Sequence, residues 1–251
     1  MSARVGRVLL AMDRVLLHID VATRPLADVQ AAIRAYWSTF CADPNQPVTG
    51  LMVWEQLVVG RWVRPGDRLL LIGCGSGREL HALIKRGCEI VGVEPAEETL
   101  ELARRVAAGF DRPITLLHGF AEDLELPGDF DVCWFSYFAY SYIPDRRRRI
   151  ALLRKLSGLL RSDGRIVITC LTAATPPQSR AVAIGRFFQR LRRSDWELAE
   201  GDMVVRAEPS FRVFHYQHIF TAAELEEECA QAGLRMAAEF PSEAFVLVPA
   251  V

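Results

Sequence analysis

The sequence predicts an α/β protein built on a doubly wound, mostly parallel sheet of seven strands with one antiparallel strand. From residue 68 onward, short apolar runs alternate with helix-forming segments across short joints, a pattern typical of parallel sheets. A glycine-rich run, Gly-Cys-Gly-Ser-Gly at 73–77, lies between the first predicted strand and the first predicted helix of this alternation. Hydrophobic residues make up 51% of the 251 residues, which supplies enough apolar surface for one large core.

The predicted elements begin after the turn at residues 64–67, and local signals mark several of them. The apolar run 68–72 is typical of a central strand buried on both faces. Thr221, with Glu224 three residues on, caps the last helix, and Gly233 ends it. The predicted strands are 68–72, 89–93, 114–117, 130–135, 165–169, 234–240 and 244–248, and the helices are 79–86, 96–108, 147–160 and 222–232. The tight turn 241–243 makes one of the last two strands antiparallel.

Two segments stand outside this alternation and define the predicted domain organisation. Residues 1–63 form an N-terminal helical extension, or cap, with helices at 26–41 and 51–62. Residues 64–251 form the Rossmann-like domain, with a lid insertion at 171–217 that contains a helix at 181–193 and an aromatic segment at 211–216. Both segments are long enough to cover the carboxyl ends of the strands, where ligands bind in open α/β sheets.

Composition and charge narrow the class of protein. The 30 basic and 31 acidic residues give a net charge of −1, so the basic surplus of a typical nucleic-acid-binding protein is missing. The six cysteines form no C-x-x-C pair, which disfavours a zinc or redox site. Neither a signal peptide nor a long apolar run is present, so we expect a cytoplasmic protein with no membrane partner. The oligomeric state stays open.

The glycine run points to a nucleotide ligand. Glycines let the loop turn sharply and let the backbone approach a ligand closely. Glu94 follows the next predicted strand, about 20 residues on, where an acid accepts hydrogen bonds from ribose hydroxyls. The dinucleotide pattern G-x-G-x-x-G needs glycine at position 78, which is arginine here. An NAD-dependent oxidoreductase is therefore the weaker alternative.

The G-x-G-x-G loop resembles motif I of the class I, Rossmann-like S-adenosylmethionine-dependent methyltransferases. The resemblance continues through Glu94 and through segments 118–124, 130–132, 159–167, 220–225 and 232–234. It implies a methyltransferase with S-adenosyl-L-methionine as its cofactor. The positions that match the cofactor-binding segments of that family are Gly73, Cys74, Gly75, Gly77, Glu94, Phe120, Ala121, Glu122 and Ser136.

Two positions depart from the family pattern. Leu71 stands where the family usually has an acid near the amino group of the cofactor, and Phe120 stands where an aspartate often meets the adenine amine. Backbone carbonyls around Gly73 and the carboxylates of Glu122 or Asp123 are the candidates to compensate. These departures leave open a catalytically silent, cofactor-binding relative.

The acceptor is expected to approach over the end of the fourth strand, as in that family. Four aromatic residues lie within 136–143, and methyl transfer needs alignment and a dry site. We expect Tyr137, Tyr142 and His218 to contact the acceptor and Tyr140 and His215 to act in catalysis, although each ring is equally suited to the core. Spacing by three puts His215 and His218 on opposite faces of a strand, and no nearby acid completes a metal site.

The predicted function is therefore methylation of an oxygen, nitrogen or carbon atom of a small molecule. The chain has neither the Asp/Asn-Pro-Pro-aromatic motif of enzymes that methylate base amines nor the Pro-Cys pair of cytosine-C5 enzymes, so nucleic acid is disfavoured. We expect the insertion 171–217 to cover the acceptor pocket, with Tyr137, Tyr140 and His215 facing one another across it.

Overall fold

The computed structural model describes residues 3–41, 50–112, 114–177, 179–206, 214–241 and 243–250. Its helices are α1 Ala3–Ala22, α2 Leu26–Cys41, α3 Val53–Trp62, α4 Leu80–Lys85, α5 Glu97–Ala107, α6 Arg146–Leu159, α7 Ser179–Arg192 and α8 Ala222–Gln231. Its strands are β1 Arg68–Ile72, β2 Glu89–Glu94, β3 Thr115–His118, β4 Phe130–Phe135, β5 Leu160–Thr169, β6 Leu171–Thr172, β7 Asp202–Arg206, β8 Phe214–Phe220, β9 Leu234–Phe240 and β10 Ala244–Pro249. A short 3₁₀ turn, Ala139–Tyr142, follows β4.

The main sheet has seven strands in the order β3-β2-β1-β4-β5-β10-β9. Strand β10 runs antiparallel to both of its neighbours, β5 and β9, whereas the pairs from β3 to β5 are parallel. In the middle, Leu70 of β1 lies between Val91 of β2 and Cys133 of β4. The predicted doubly wound sheet with one antiparallel strand is confirmed.

Both faces of the central strands are buried, as the apolar residues 69–72 of strand β1 predict. Leu70 and Ile72 point into a core shared with helices α6 and α8. Leu69 and Leu71 point into a second core shared with helices α3, α4 and α5. This double burial leaves the loops at the carboxyl ends of the strands as the place where a ligand can reach the sheet.

Residues 161–164, which separate the predicted helix 147–160 from the predicted strand 165–169, belong to strand β5 itself. β5 begins at Leu160, which pairs with Phe130, but the next pair along the ladder joins Val132 to Arg165. Residues 161–164 therefore form an irregularity within β5 rather than a separate turn. Register shifts of this kind bend a strand without ending it.

The N-terminal extension and the insertion pack on each other. Helix α1 packs on α7, and α2 packs on β8. Strands β6, β8 and β7 form a second sheet in that order, with β7 antiparallel to β8. Leu17 and Val29 of the extension share one core with Val182, Trp196 and Leu198 of the insertion. Within the part of the chain described, no helix is long and apolar enough to cross a membrane.

Candidate functional site

The glycine loop connects β1 to α4 at the carboxyl edge of the sheet. Gly73 and Gly75 have φ angles of +73° and +53°, in the left-handed region that glycine adopts without strain. The N–H groups of Gly73 and Cys74 donate to the Val93 carbonyl at 2.8 and 3.0 Å, which holds the loop against the end of β2. A Cβ built on Gly75 meets no protein atom closer than the Gly73 carbonyl at 4.0 Å. The space beside Gly75 is therefore left open to a ligand.

Glu94, at the end of β2, lies directly under this loop. Its Oε2 accepts a hydrogen bond from the Gly75 N–H at 3.0 Å, and its Oε1 accepts one from the Ala96 N–H at 2.9 Å. Burial raises the pKa of this carboxyl to about 7, although the two backbone hydrogen bonds lower it. Each oxygen keeps acceptor capacity for one further donor. Hydrogen bonds thus hold the glycine loop and the Glu94 carboxyl together at one edge of the sheet.

A cleft with a cavity volume of about 150 Å³ lies above this edge and opens partly to solvent. Most of the sequence-predicted site residues line it. They are Gly73, Cys74, Gly75, Glu94, Phe120, Ala121, Glu122, Ser136, Tyr137 and Tyr142. The structure therefore brings the glycine loop, the acid of β2, the segment after β3 and the segment after β4 to one cavity.

Gly77 does not line this cavity, which corrects the prediction that it contacts the cofactor. Its φ is +88°, and a Cβ there would lie 2.9 Å from Leu80 Cδ1 and 3.3 Å from Ala103 Cα. A distance under 3 Å means that a neighbour would have to move. Gly77 is therefore needed for the turn into α4 and for the close contact between α4 and α5.

The segment after β3 carries one of the two departures from the family pattern. Phe120 lines the cavity, and the Arg34 guanidinium of α2 lies 5.9 Å from the centre of its ring. Glu122 also lines the cavity, and its Oε1 accepts no hydrogen bond among the described residues. Burial raises the pKa of the Glu122 carboxyl, while Arg148 lowers it. Asp123, by contrast, is hydrogen-bonded to Gln30 and Arg148 on the exposed side.

The second departure, Leu71, is fully buried in the core with Trp134 and takes no part in the cavity. A polar cluster of Glu55, Arg78, Glu79 and Ser136 lies beside the cavity, and sequence analysis singled out only Ser136 among them. Arg78 donates to both oxygens of Glu55 at 2.6 Å and to Glu79 Oε1 at 2.5 Å, and Ser136 donates to the same Glu79 oxygen. Arg78 and Glu79 directly follow the glycine run, so their position after it was an available signal.

Aromatic side chains form the opposite wall of the cavity. Tyr137 and Tyr142 come from the segment after β4, where Tyr137 and Phe138 both have positive φ angles. Trp37 of α2 meets Tyr142 edge to face, with ring centres 4.8 Å apart, and Tyr137 at 6.2 Å. Burial raises the pKa of the Tyr142 hydroxyl, so it stays protonated. The wall is thus a largely apolar surface beside the glycine loop.

The extension, rather than the insertion, closes the cavity. Ile33 and Trp37 of α2 and Met52 line it, whereas no described residue of the insertion 171–217 does. Of the two segments expected to cover the ends of the strands, the extension therefore lines the cavity, and the described part of the insertion does not. The insertion instead lies behind α2, because β8 packs against that helix. Sequence analysis missed Ile33 and Trp37 because the spacing of apolar residues along a helix shows which face is buried but not what that face packs against.

His215 lies next to the aromatic wall but does not line the cavity. Its ring stacks on Tyr36 at 3.9 Å between centres and on Tyr142 at 5.3 Å. Burial lowers its pKa to about 4, so the imidazole is neutral at pH 7. Its Nε2 is buried without a hydrogen-bond partner among the described residues. Tyr142 separates it from the open space.

Tyr140 and His218 are both away from the cavity, which corrects the roles predicted for them. The Tyr140 hydroxyl donates to Glu228 at 2.8 Å in the core between the 3₁₀ turn and α8. His218 lies between Asp202 and Glu224, at 2.6 and 3.0 Å. The prediction for Tyr140 was wrong because the 3₁₀ turn breaks the alternation of side chains after β4. The prediction for His218 was wrong because alternation along a strand does not say which face meets the cavity. His215 and His218 do lie on opposite faces of β8, as their spacing predicts.

Metal binding has no support in this region. Among residues 3–41, 50–112, 114–177, 179–206, 214–241 and 243–250, no group of three or more His, Cys, Asp or Glu side chains is arranged to hold a metal ion. The buried His218 is fully engaged by two carboxylates and is therefore part of the structural core.

Residues 69–164, which run from β1 past the glycine loop and Glu94 into β5, match a family model described as a methyltransferase domain. This part of the chain is therefore similar to a methyltransferase domain. The resemblance carried by motif I is thus confirmed. The match favours a methyltransferase over an NAD-dependent oxidoreductase, because it covers the loop whose glycine spacing distinguishes the two.

Individual methyltransferases resemble the chain only in part. It is 27% identical over 145 residues to the cypemycin N-terminal methyltransferase of a Streptomyces species, covering 58% of this chain and 56% of that protein. It is 27% identical over 168 residues to a ubiquinone biosynthesis O-methyltransferase of Xanthomonas campestris, covering 65% and 68%. The fold matches that of CalS10, an amino pentose methyltransferase from Micromonospora echinaspora solved with bound S-adenosylmethionine, with a TM-score of 0.52, 19% identity, and 85% and 91% coverage.

Proposed function

We propose that the protein is an S-adenosylmethionine-dependent methyltransferase that methylates a small molecule on oxygen, nitrogen or carbon. The single observation that carries this proposal is the joined pair of the glycine loop and Glu94 at one end of an open cleft. Strands β1, β2, β3 and β4 each deliver one part of that cleft, because these parallel strands end at the same edge.

The residues of the cleft fit the cofactor. The left-handed loop leaves space beside Gly75 that a side chain would fill. Glu94, ionised, offers two carboxylate oxygens to the ribose hydroxyls, and Ala121 and Glu122 line the cleft beyond it, toward β3, where we place the adenine ring. Glu122 Oε1, which accepts no hydrogen bond among the described residues, is proposed to take the adenine amine in place of the aspartate that Phe120 replaces. Bound there, S-adenosylmethionine supplies an electrophilic methyl group.

The aromatic wall is proposed to hold the acceptor. Tyr137 and Tyr142 face the same cavity as the loop, and Trp37 braces Tyr142 from the extension. Such a wall excludes water and fixes the direction of approach, which is what a displacement reaction needs. Aromatic faces also favour the positive charge of a sulfonium group.

His215 is proposed to act in its neutral form. A pKa of about 4 makes the imidazole a weak base at neutral pH, so proton removal is not its best use. Its unpartnered Nε2 instead suits a hydrogen bond to the acceptor or to the Tyr142 hydroxyl once the wall adjusts around a bound molecule. The predicted catalytic role of His215 thus becomes one of orienting.

A small-molecule acceptor is supported by two observations. Trp37 and Ile33 of α2 line the cleft and so add an apolar cover over the strand ends, which suits a compact acceptor better than a duplex. Several related methyltransferases carry names of small molecules or peptides, among them ubiquinone and cypemycin. We extend the proposal to a cytoplasmic enzyme with neither a nucleic-acid nor a membrane partner, and to the division into a cap, 1–63, and a domain, 64–251.

The test is transfer of an isotopically labelled methyl group from S-adenosylmethionine to a panel of phenols, carboxylic acids and amines. We expect labelled product with at least one acceptor. With that acceptor, Tyr142→Phe and His215→Ala should lower turnover while binding of S-adenosylhomocysteine stays unchanged. Tyr140→Phe is the matched control, because it removes the same hydroxyl from the same turn on the side that faces the core.

Absence of any product across the panel, with S-adenosylhomocysteine bound, would favour the silent relative. Equal turnover in wild type, Tyr142→Phe and His215→Ala would show that the acceptor binds elsewhere.

A further inference from the structure

The cofactor site, if the proposed function holds, needs a carboxylate that Leu71 does not provide. Leu71 is wholly buried in the core under the sheet, with no polar contact. The amino-acid end of the cofactor carries a primary ammonium, and such a group inside a protein needs an anionic partner. Backbone carbonyls around Gly73 can accept hydrogen bonds from this ammonium, but only another acid of the protein at this end of the cleft would also balance its charge.

The order of the strands shows where that end lies. From one side to the other the sheet runs β3, β2, β1, β4, with neighbours about 4.8 Å apart. Phe120 and Glu122 follow β3, Glu94 ends β2, the glycine loop follows β1, and Ser136 follows β4. A ligand whose ribose lies on Glu94 and whose base lies toward β3 extends its remaining arm over β1 toward β4.

Glu79 is the acid at the β4 end. It lines the cavity, yet only 1% of the residue surface is exposed to solvent. It receives hydrogen bonds from Ser136 and from Arg78, and both reach Oε1. Oε2 accepts neither of them. Ser136 in turn is tied to the end of β1, because its N–H donates to the Ile72 carbonyl at 2.9 Å.

The charges around Glu79 are unbalanced. Among the described residues, Arg78 is the one cation that forms hydrogen bonds with the carboxylates of Glu55 and Glu79. Glu55 uses its own oxygens on Arg78 and on the Met52 N–H at 2.6 Å. With both carboxylates ionised, this buried group carries one negative charge in excess. Burial raises the pKa of the Glu79 carboxyl, Arg78 lowers it, and the charge of Glu55 raises it further. A ligand cation beside Glu79 would remove that imbalance.

We propose that Glu79, positioned by Ser136 and Arg78, binds the primary ammonium group of the cofactor and so replaces the acid missing at Leu71. The site is selective for a ligand with an amino group at this end, and it explains why the chain keeps a buried acid directly after the glycine loop. Glu122 and Asp123 are excluded from this role because they lie at the β3 end of the cleft.

The test uses two ligands and measures binding by calorimetry. One ligand is S-adenosylhomocysteine, and the other is its deaminated analogue, in which hydrogen replaces the α-amino group. Wild type should bind S-adenosylhomocysteine at least about tenfold more tightly than the analogue. Glu79→Gln should weaken S-adenosylhomocysteine at least about tenfold and leave the affinity for the analogue unchanged, so that the preference disappears.

Glu55→Gln is the matched control. It removes the same charge from the same buried cluster, but Glu55 does not line the cavity, so the preference for the amino group should remain. Thermal denaturation of both variants establishes that they are folded. An equal loss of affinity for both ligands in Glu79→Gln overturns the assignment of Glu79. So does a Glu79→Gln protein that still prefers S-adenosylhomocysteine to the deaminated analogue as wild type does. Failure of wild type to bind either ligand overturns the proposed function instead, whereas equal wild-type affinity for both ligands refutes only the ammonium site.

Discussion

Replacing Glu94 by glutamine distinguishes the effect of this buried carboxyl on folding stability from its contribution to cofactor binding. The carboxyl is 5% exposed and ordinarily has a pKa of 4.5, which burial raises to about 7. Below pH 4.5 it is neutral in both the folded and the unfolded chain. As the pH rises through 7, the folded protein must ionise a buried group that the unfolded chain ionises in water, so stability is lost.

The magnitude follows from the size of this shift. A difference of about 2.5 pKa units corresponds to a penalty of about 3 kcal/mol, fully developed above roughly pH 8. Glutamine does not ionise, so it escapes the penalty. It has one carbonyl oxygen, however, and cannot accept from both the Gly75 and the Ala96 N–H groups as Glu94 does, which costs about 1–3 kcal/mol.

We therefore expect Glu94→Gln to be less stable than wild type at pH 5 and as stable or more stable at pH 8. Denaturant unfolding of the free protein at both values measures this reversal. Whereas stability at pH 8 should be kept or increased, the affinity of Glu94→Gln for S-adenosylhomocysteine should fall. Loss of the charged acceptor for the ribose hydroxyls should cost about 1.5–3 kcal/mol, or tenfold or more in affinity for S-adenosylhomocysteine. The same destabilisation at both pH values, or an unchanged affinity, would refute this account of Glu94.

Two further variants test the loop and the corrected tyrosine. Gly75→Val should abolish binding of S-adenosylhomocysteine in calorimetry, because the added side chain fills the open space that the ligand needs. The protein should still fold, because the φ of +53° strains one loop residue and the side chain meets no protein atom closely. Unchanged binding would place the cofactor elsewhere. Tyr140→Phe should lower the free energy of unfolding by about 1–3 kcal/mol, since it removes a buried hydrogen bond to Glu228, and should leave turnover unchanged. A large loss of turnover without loss of stability would restore a catalytic role to Tyr140.

The regular part of the fold was largely predictable because its signals are local. Strand β1 is apolar at all positions but its first, the glycine run marks the turn after it, and Thr221 and Gly233 bound α8. The same local logic brought Glu94 to the glycine loop. A strand that ends in an acid next to a glycine turn has few alternative geometries, so this half of the site followed from spacing alone.

The acceptor half was less predictable because it depends on non-local packing and on a distorted turn. Positive φ angles at Tyr137 and Phe138 rotate the chain after β4, so that Tyr142 faces the cavity and Tyr140 faces the core. The contact of α2 with β8 joins segments far apart in the chain. Among the described residues, the extension lines the cavity and the insertion packs on the extension. Of the predicted aromatic segment 211–216, residues 211–213 lie outside the described residues, and the others begin β8, which continues to Phe220.

The most direct test of the central claim, that the glycine loop and Glu94 hold S-adenosylmethionine rather than a dinucleotide, is calorimetry of the wild-type chain with S-adenosylhomocysteine and with NAD. We expect one molecule of S-adenosylhomocysteine to bind at micromolar affinity and NAD to give no measurable heat. Tighter binding of NAD than of S-adenosylhomocysteine would contradict the claim.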